Sequence, residues 1–368
     1  MTDNAQVVIL GGGYAGITAA KALDDAADVT LVDAREAFVH NIAALRALVA
    51  PEWIDRIIFP YDRLLARGRF VQGRAVEVDV GRVELDSGEV LTPDYLVLAT
   101  GSRYPFPAKS SEQSAEDARD SYRTAAAELN SAEHALLLGA GPVGLELAGE
   151  IRTSHPDTRV TIVDPADEIL AGPYDQRVRD ELRRQLAELG VELLLGTSLI
   201  SDPSTAVTEH HAFTVTTTGG DEIAADIWYR CYGVVPQTGY LTGALAQAVN
   251  ADGRIAVTSE QRVRGQDNVF AVGDIGDREA PLGGRAMRQA AVAADNVKAL
   301  IAGAELVAYE PRPPAIFVPL GPEGGAGQMP GADEIAGAEQ VAEIKGRHMM
   351  VDPFVQMFAG AKAQPAPR

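Results

Sequence analysis

Residues 7–33, VVILGGGYAGITAAKALDDAADVTLVD, contain the pattern that decides the fold. The apolar run at residues 7–10 predicts a buried strand, and the small, apolar residues 17–23 at helical spacing predict a helix. Residues 29–32 predict a second buried strand, which ends at Asp33. Glycines occupy the turn between the first strand and the helix. The stretch is therefore typical of a β-turn-α-β unit of about thirty residues.

The same pattern returns at residues 135–164, ALLLGAGPVGLELAGEIRTSHPDTRVTIVD. Its glycines again follow a strand and precede a helix, and Asp164 again ends the second strand. Either glycine turn alone is also compatible with a simple tight turn. Two units in one chain, each with an acid at the same place, indicate an internal duplication of dinucleotide sites. The predicted fold class is α/β, with two Rossmann-like domains.

A dinucleotide carries a pyrophosphate, and glycines let it approach the free N–H groups at a helix N-terminus. Asp33 and Asp164 stand where a carboxylate accepts hydrogen bonds from a ribose. Asp164, with Asp167 and Glu168 close behind it, would repel the 2′-phosphate of NADPH. We therefore expect NADH to be preferred over NADPH. The alternative is that these acids face solvent and the loop accepts either nucleotide.

Composition excludes several functional classes. The 368 residues include 32 basic and 52 acidic ones, a net charge of −20, which disfavours nucleic acids and anionic membrane surfaces. The single cysteine, Cys231, cannot form a disulfide within the chain and fits a reducing, cytoplasmic setting. No apolar run is long enough for a transmembrane segment, and residues 1–6 lack a signal-peptide pattern. The six histidines have no metal-ligand spacing, so we expect no metal.

Further along the chain, residues 110–121 are polar and are expected to form a linker between domains. Residues 213–218 alternate before a glycine pair and predict a hairpin, and residues 227–232 predict a strand. Residues 268–274 predict a strand that ends at Asp274, and the alanine-rich residues 286–301 predict a long helix.

The order GGGYAG, acid, LVLATGS, GAGPVGLELAGE, acid, FAVGD resembles the pyridine-nucleotide-dependent flavoprotein reductases with two Rossmann domains. In that fold the first site holds FAD, the second holds NAD(P)H, and the NAD domain interrupts the FAD domain. The resemblance implies an FAD-binding domain at residues 1–110 and 241–305 and an NAD(P)H-binding domain at residues 111–240. It leaves a small C-terminal α+β region at residues 306–368, whose tail from residue 359 we expect to be disordered.

Disulfide reductases of this kind carry a cysteine pair on the helix after the first acid, whereas residues 40–49, HNIAALRALV, contain none. Electrons are therefore expected to leave FAD directly. This stretch, together with FPAKS, GVVPQT and the GAGQ at residues 325–328, resembles the ferroptosis-suppressor quinone reductases of the apoptosis-inducing-factor-like group. Type II NADH dehydrogenases are the next most similar group. The resemblance implies tightly bound FAD and an NAD(P)H oxidoreductase that passes electrons from NADH to a quinone-type small-molecule acceptor.

The resemblance also implies roles for single residues. Glu146 and Arg285 are the predicted catalytic residues, the first near the nicotinamide and flavin, the second at the start of a helix directed at the flavin. Asp274 would bind the ribityl chain of FAD, with a helix N-cap as its alternative role. The predicted cofactor-binding residues are Gly11, Gly13, Tyr14, Ala15, Gly16, Asp33, Ala34, Arg35, His40, Asn41, Val76, Ala99, Thr100, Gly101, Gly139, Gly141, Pro142, Val143, Gly144, Glu146, Asp164, Gly233, Gly273, Asp274, Gly284, Arg285 and Ala286.

Simpler roles stay open for several of these residues: helix-dipole stabilisation for Glu146, a surface position for Arg285, and polar packing at a helix start for His40 and Asn41. Two other functions also stay open. One is a reductase of a ferredoxin or rubredoxin, docked on the arginine-rich residues 177–184. The other is a flavin-based sensor that binds NADH. Contact with the inner face of a membrane and a homodimer are further possibilities.

Overall fold

The computed structural model describes residues 4–359, so most of the expected disordered tail lies outside the described residues. The strands in chain order are β1 (Gln6–Leu10), β2 (Asp28–Asp33), β3 (Ala37–Val39), β4 (Ile58–Pro60), β5 (Arg69–Gln72), β6 (Ala75–Asp79), β7 (Arg82–Leu85), β8 (Val90–Leu91), β9 (Tyr95–Leu98), β10 (Ser102–Arg103), β11 (His134–Leu138), β12 (Arg159–Asp164), β13 (Val191–Leu195), β14 (Phe213–Thr216), β15 (Glu222–Ala225), β16 (Ile227–Arg230), β17 (Val235–Pro236), β18 (Val269–Ala271), β19 (Ile316–Leu320), β20 (Gly324–Gln328) and β21 (Ile335–Ala336).

Helices connect these strands. The α-helices are α1 (Tyr14–Leu23), α2 (Ala44–Val49), α3 (Ala115–Asn130), α4 (Pro142–Ser154), α5 (Gln176–Glu188), α6 (Gly243–Ala246), α7 (Gly283–Ala302), α8 (Ala338–Val341) and α9 (Asp352–Ala359). Short 3₁₀ turns lie at Asn41–Ala43, Pro51–Arg56, Tyr61–Arg63 and Gly273–Ile275, and a π-helical turn spans Ala342–Gly346. Among the residues described, no helix is both long and apolar enough to cross a bilayer.

The first glycine unit belongs to a five-stranded parallel sheet with the order β18-β9-β1-β2-β5. Strand β18 comes from late in the chain, so the second unit is inserted in sequence between two strands of this sheet. Val7, Ile9 and Leu31 are fully buried in it. Continuous apolar strands of this kind are typical of a parallel sheet covered on both faces, and helices α1 and α7 pack together on one of them.

The second glycine unit belongs to a four-stranded parallel sheet with the order β13-β12-β11-β16. Leu137, Ile162 and Tyr229 are fully buried at its centre. The predicted hairpin is confirmed as β14 and β15, whose side chains pack with Leu136, Leu138 and other residues of the sheet. The two parallel sheets confirm an α/β fold with two Rossmann-like domains.

The structure corrects two expectations. The predicted linker at residues 110–121 is wrong from residue 115, where α3 begins after the N-cap Ser114, whose side chain accepts a hydrogen bond from the Asp117 N–H. Ala118, Tyr122 and Ala125 recur at helical spacing and are buried, but alanines among many charges hide this apolar face from a sequence pattern. The long helix α7 is confirmed, although it begins at Gly283 rather than at residue 286.

A third region packs against both domains. Its antiparallel sheet has the order β19-β20-β21 and lies against α4. The contact is close, because a Cβ atom at Gly149 would approach the Leu320 Cα to 2.4 Å. The two chain crossings between the domains also pair with each other, since Ser102 of β10 lies opposite Pro236 of β17. The two crossings therefore form a short antiparallel strand pair that connects the two domains.

Candidate functional site

The first glycine turn is organised by the acid at the end of β2. The Gly12 N–H donates to Asp33 Oδ2 at 2.6 Å, and the Arg35 N–H donates to Asp33 Oδ1 at 2.8 Å. The Arg35 guanidinium lies 3.1 Å from the same carboxylate. Burial acts to raise the pKa of Asp33, but Arg35 and these hydrogen bonds hold that pKa below its usual value. The ionised carboxylate therefore holds the turn in shape.

The second turn repeats this arrangement at the end of β12. The Ala140 N–H donates to Asp164 Oδ2 at 2.7 Å, and the Ala166 N–H donates to Asp164 Oδ1 at 2.8 Å. Ala166 stands where the first turn has Arg35, so this acid lacks a cation two residues on. The duplication predicted from the sequence thus extends to individual hydrogen bonds, with one difference in charge.

Three of the four glycines of the first turn, Gly11, Gly13 and Gly16, have separate steric roles. A Cβ atom at Gly11 would lie 2.4 Å from the Ala99 carbonyl oxygen, and one at Gly16 would lie 1.7 Å from the Gly11 carbonyl oxygen. A Cβ atom at Gly13 would meet no protein atom within 4 Å. The outer glycines therefore permit close packing of strand, turn and helix, whereas the middle one borders free space at the N-terminus of α1. A pyrophosphate fits that space.

The second turn divides the roles in the same way. A Cβ atom at Gly139 would lie 2.9 Å from the Cys231 carbonyl oxygen, and one at Gly144 would lie 1.9 Å from the Gly139 carbonyl oxygen. The position of Gly141 again borders free space. Burial raises the pKa of the Cys231 thiol to about 12, so this cysteine packs beneath the turn as a neutral side chain. Both turns therefore fit a dinucleotide.

A cleft of about 390 Å³ opens beside the second turn at the carboxyl edge of its sheet. Its volume suits a small ligand. Glu168, one of the acids expected to repel a 2′-phosphate, turns away and pairs with Arg183 at 2.6 Å. The cleft is lined by Leu138, Gly139, Val163, Asp164, Pro165, Ser198, Leu199, Asp202 and Tyr232. Of these residues the sequence predicted only Gly139 and Asp164. The last four follow other strands, and only the strand order brings them to this edge.

Asp274, the residue predicted to bind the ribityl chain of FAD, lies just after the end of β18. Ser102 Oγ donates to Asp274 Oδ2 at 2.5 Å, and Lys109 Nζ lies 3.2 Å from the same oxygen. The Gly273 N–H donates to Gln289 Oε1 at 2.8 Å, which attaches this turn to α7. Lys109 and Gln289 were missed, because neither belongs to a local motif. Asp274 therefore has one oriented oxygen and a cation beside it before any ligand arrives.

Arg285 lies in the first turn of α7, but its charge is already paired. Its Nε lies 3.4 Å from Glu279 Oε1, and its Nη1 donates to the Ala280 carbonyl oxygen at 3.2 Å. The positive end of the helix is therefore supplied by backbone N–H groups at Gly283 and Gly284, which precede its internal hydrogen bonds.

Glu146 lies in the second turn of α4, because the helix begins at Pro142. Helix-dipole stabilisation falls off after the first turn, so it accounts poorly for this acid. Lys345 Nζ, from the π-helical turn, donates to Glu146 Oε1 at 2.7 Å and to the Phe317 carbonyl oxygen at 3.3 Å. Burial raises the pKa of Glu146, and the Lys345 ammonium offsets part of that effect. Sequence analysis gave no signal for this partner.

A second acid, one helical turn further along α4, joins three parts of the chain. Glu150 accepts two hydrogen bonds from Arg46 of α2, at 2.5 and 2.8 Å. Arg46 also donates to the Gly346 carbonyl oxygen at 3.0 Å. Both charged side chains are almost fully buried, with exposures of 7% and 1%. Glu146 and Glu150 lie four residues apart and therefore share one face of the helix.

His40 is fully buried between the first domain and the C-terminal region. Its Nε2 lies 2.7 Å from the Met349 carbonyl oxygen, and its Nδ1 lies 3.1 Å from the Tyr14 hydroxyl. A carbonyl only accepts, so Nε2 carries the proton and Nδ1 accepts from Tyr14. Burial lowers the pKa of His40 to about 4, which keeps the ring neutral. Asn41 Oδ1 is buried without a partner among the described residues, so it offers an acceptor to a bound group.

The remaining predicted residues belong to segments that adjoin the same sheet edges; Val76 follows Gly73, whose N–H donates to the Asp33 carbonyl oxygen at 2.9 Å. Thr100 Oγ1 donates to the Gln237 carbonyl oxygen at 2.7 Å, just after β9. Gly101 and Gly233 have positive φ angles of 64° and 101° at the two domain crossings. Val76 lies on β6 of a separate antiparallel sheet and is 46% exposed. Ala15, Pro142 and Val143 lie within the glycine motifs, Ala34 follows Asp33, and Ala286 follows Arg285 in α7.

We expect Gly141→Ala to weaken NADH binding and Gly144→Ala to lower the stability of the fold. The Gly141→Ala methyl group enters the free space, so the variant should keep its melting temperature and bind NADH at least about tenfold more weakly. The Gly144→Ala methyl group meets the Gly139 carbonyl and should cost about 1–3 kcal/mol of stability. Thermal unfolding and NADH titration measure the two effects. Unchanged NADH binding by a folded Gly141→Ala protein would contradict this assignment.

We also expect His40 to make the protein acid-sensitive. The unfolded chain binds a proton at this residue below its ordinary pKa of 6.5, but the folded chain does so only near 4. Stability should therefore fall by up to about 3 kcal/mol as the pH drops through that window. Urea unfolding at several pH values should show a shallower loss for His40→Gln, whose amide can keep both hydrogen bonds. Equal slopes for the two proteins would refute the assignment.

Comparison with known proteins agrees with this geometry. The family model of the pyridine nucleotide-disulphide oxidoreductases matches residues 5–296. Apoptosis-inducing factor homolog B of Dictyostelium discoideum is 27% identical over 98% of both chains, and ferroptosis suppressor protein 1 of Homo sapiens is 31% identical over 88% of both.

Solved structures share the fold. The sulfide:quinone oxidoreductase of Aquifex aeolicus matches with a TM-score of 0.74 and 17% identity, over 98% of this chain and 93% of that one. Putidaredoxin reductase in its covalent complex with putidaredoxin matches with a TM-score of 0.70 and 23% identity, over 90% and 82%. The chain therefore belongs to the pyridine nucleotide-disulphide oxidoreductase family, whose members are flavoprotein enzymes that bind FAD and NAD(P)H.

Proposed function

We propose that the protein oxidises NADH through tightly bound FAD and passes the electrons to a small quinone-type acceptor. Bound FAD would supply the redox chemistry, taking hydride from the nicotinamide and returning electrons to the acceptor. The observation that carries this proposal is the pair of matching glycine turns, each with free space at its middle glycine, Gly13 or Gly141. The residues around those turns bind and orient the two dinucleotides and hold charge beside them.

The absence of a disulfide relay supports direct electron transfer to the acceptor. The chain has one cysteine, Cys231, and its thiol is buried beneath the second turn. A flavoprotein of this family without a cysteine pair must pass electrons from the flavin to the acceptor itself. The resemblance of residues 40–49 to the ferroptosis-suppressor quinone reductases favours a quinone in that role.

Surface charge supports a small neutral acceptor over an acidic electron carrier. The arginines expected to form a docking surface on α5 are paired: Arg177 with Asp175 at 2.6 Å, and Arg184 with Glu181 at 2.7 Å. Arg179 is held by backbone carbonyl oxygens, including that of Tyr174. This helix therefore presents a neutralised face, and the net charge of −20 repels an acidic ferredoxin. A quinone has no net charge and meets no such barrier.

The backbone at the N-terminus of α7 and the Asp274 turn would serve the flavin. Free N–H groups at Gly283 and Gly284 place partial positive charge at the end of that helix, which would stabilise negative charge on a reduced ring. Lys109 places a further cation beside Asp274. These groups are fixed before binding, so they need no rearrangement when charge develops. The Glu146–Lys345 pair would fix the position of the C-terminal region relative to the second domain.

The proposed activity predicts fast steady-state turnover with NADH and a soluble ubiquinone or menaquinone analogue. Under anaerobic conditions NADH should bleach the flavin absorbance, and addition of the quinone should restore it. Ferredoxin and oxygen serve as comparison acceptors and should restore the absorbance much more slowly. Rapid reoxidation by ferredoxin alone would favour the electron-carrier reductase. Bleaching with negligible turnover by every acceptor would favour a sensor, and material that stays colourless with excess flavin would end the proposal.

We expect the Glu146–Lys345 pair to affect rate more than folding. The double variant Glu146→Leu/Lys345→Met removes both charges and keeps the volume, so its melting temperature should stay near that of the wild type. Its rate of flavin reduction by NADH, measured by anaerobic stopped flow, should fall at least about tenfold. Glu323→Gln, which breaks an exposed pair with Arg347 in the same region, is the matched control and should keep the wild-type rate. A wild-type rate in the double variant would contradict this role.

A further inference from the structure

The cleft beside the second turn is negatively charged. Two of its lining residues, Asp164 and Asp202, are acids, and none of the described residues that line it is basic. The two acids differ in what else they hold. Asp164 accepts the backbone N–H groups of Ala140 and Ala166, so its carboxylate is part of the turn. Asp202 is half-exposed on the loop after β13, so its charge can be changed without opening the core.

A cation is paired with one of these acids. Arg230 ends β16 directly opposite Leu138, which lines the cleft, and its guanidinium forms an ion pair with Asp202. The Arg230 Cζ lies 5.6 Å from the ring centre of Trp228 and 5.7 Å from that of Tyr232. Its Nε is buried and has no partner among the described residues. The guanidinium therefore lies within cation–π range of two rings, and Asp202 neutralises its charge although 36% of the arginine side chain is exposed.

We propose that Asp202 is a specificity-determining residue that excludes NADPH by keeping Arg230 from the 2′-phosphate. The inference rests on the proposed function and assigns the cofactor choice to one ion pair. A phosphate monoester carries nearly two negative charges, and a cleft with two carboxylates disfavours it. An arginine freed at the same wall is the group that binds a phosphate best. Selectivity for NADH therefore depends on covering this cation as well as on Asp164.

The test compares Asp202→Asn, Arg230→Gln and the double variant with the wild type. One readout is the ratio of kcat/KM for NADPH to that for NADH. The other is calorimetric binding of 5′-AMP and adenosine 2′,5′-bisphosphate, which needs no turnover. Glu188→Gln, which breaks an exposed arginine pair on α5, is the matched control for the loss of one negative charge.

Asp202→Asn should raise the NADPH to NADH ratio about tenfold and strengthen bisphosphate binding by a similar factor relative to 5′-AMP. The double variant should lose that gain, because the gain depends on Arg230. Glu188→Gln should match the wild type in both readouts. Arg230→Gln, which leaves Asp202 uncovered, should weaken bisphosphate binding further.

Three results would overturn the inference: a wild type that prefers NADPH, an Asp202→Asn protein with the wild-type ratio, or an equal shift in Glu188→Gln. The last result would reflect net charge rather than this pair. A wild type that oxidises neither nucleotide would instead defeat the proposed function. The affinities for the two adenosine phosphates would still decide the role of Asp202 in that case.

Discussion

The buried ion pair between Arg46 and Glu150 is the constraint on which the relative placement of the site residues depends. Two charges taken out of water are tolerated only when they meet in good geometry with further hydrogen bonds, and removal of one partner typically costs about 3–5 kcal/mol. Here the pair is doubly hydrogen-bonded, and Arg46 also holds the Gly346 carbonyl. Glu150 lies on α4, the helix that begins at the second glycine turn. The pair therefore ties that turn to α2 and to the C-terminal region.

The two glycine turns are built alike but differ in charge. At the first turn Arg35 pairs with Asp33, and the acid is 9% exposed. At the second turn the matching position is Ala166, and an open cleft adjoins the acid Asp164. The same backbone arrangement therefore carries a charge-balanced acid at the first turn and, among the described residues, an acid without an ion-pair partner beside an open cleft at the second. This difference suits a permanently bound cofactor at the first turn and an exchanging cofactor at the second.

The C-terminal region closes against the first domain through strained backbone. Met349 and Met350 have φ angles of 46° and 55°, a left-handed conformation that costs a residue other than glycine about 1–3 kcal/mol. The hydrogen bond from His40 to Met349 and the packing of Phe354 against Tyr14, Phe38 and His40 offset that cost. The family match ends at residue 296, so the C-terminal side of this contact lies outside the matched segment and the side that includes His40 lies within it.

The sequence by itself determined the two β-turn-α-β units, because glycine spacing, strand apolarity and a terminal acid are properties of about thirty consecutive residues. It also determined the return of the chain to the first sheet, through the resemblance that FAVGD carries. The start of α3 was predicted as a linker because the buried face of this helix consists largely of alanine, which gives a weak apolar pattern.

Only the tertiary structure decided which distant side chains meet. Glu146 and Lys345 are separated by 199 positions, and Arg46 and Glu150 by 104. Asp202 and Tyr232 reach Asp164 only because β13 and β16 flank the two central strands of their sheet. A local pattern records the period and the turns of a segment. The pairing of charges between segments depends on how their surfaces pack, which no single stretch of sequence contains.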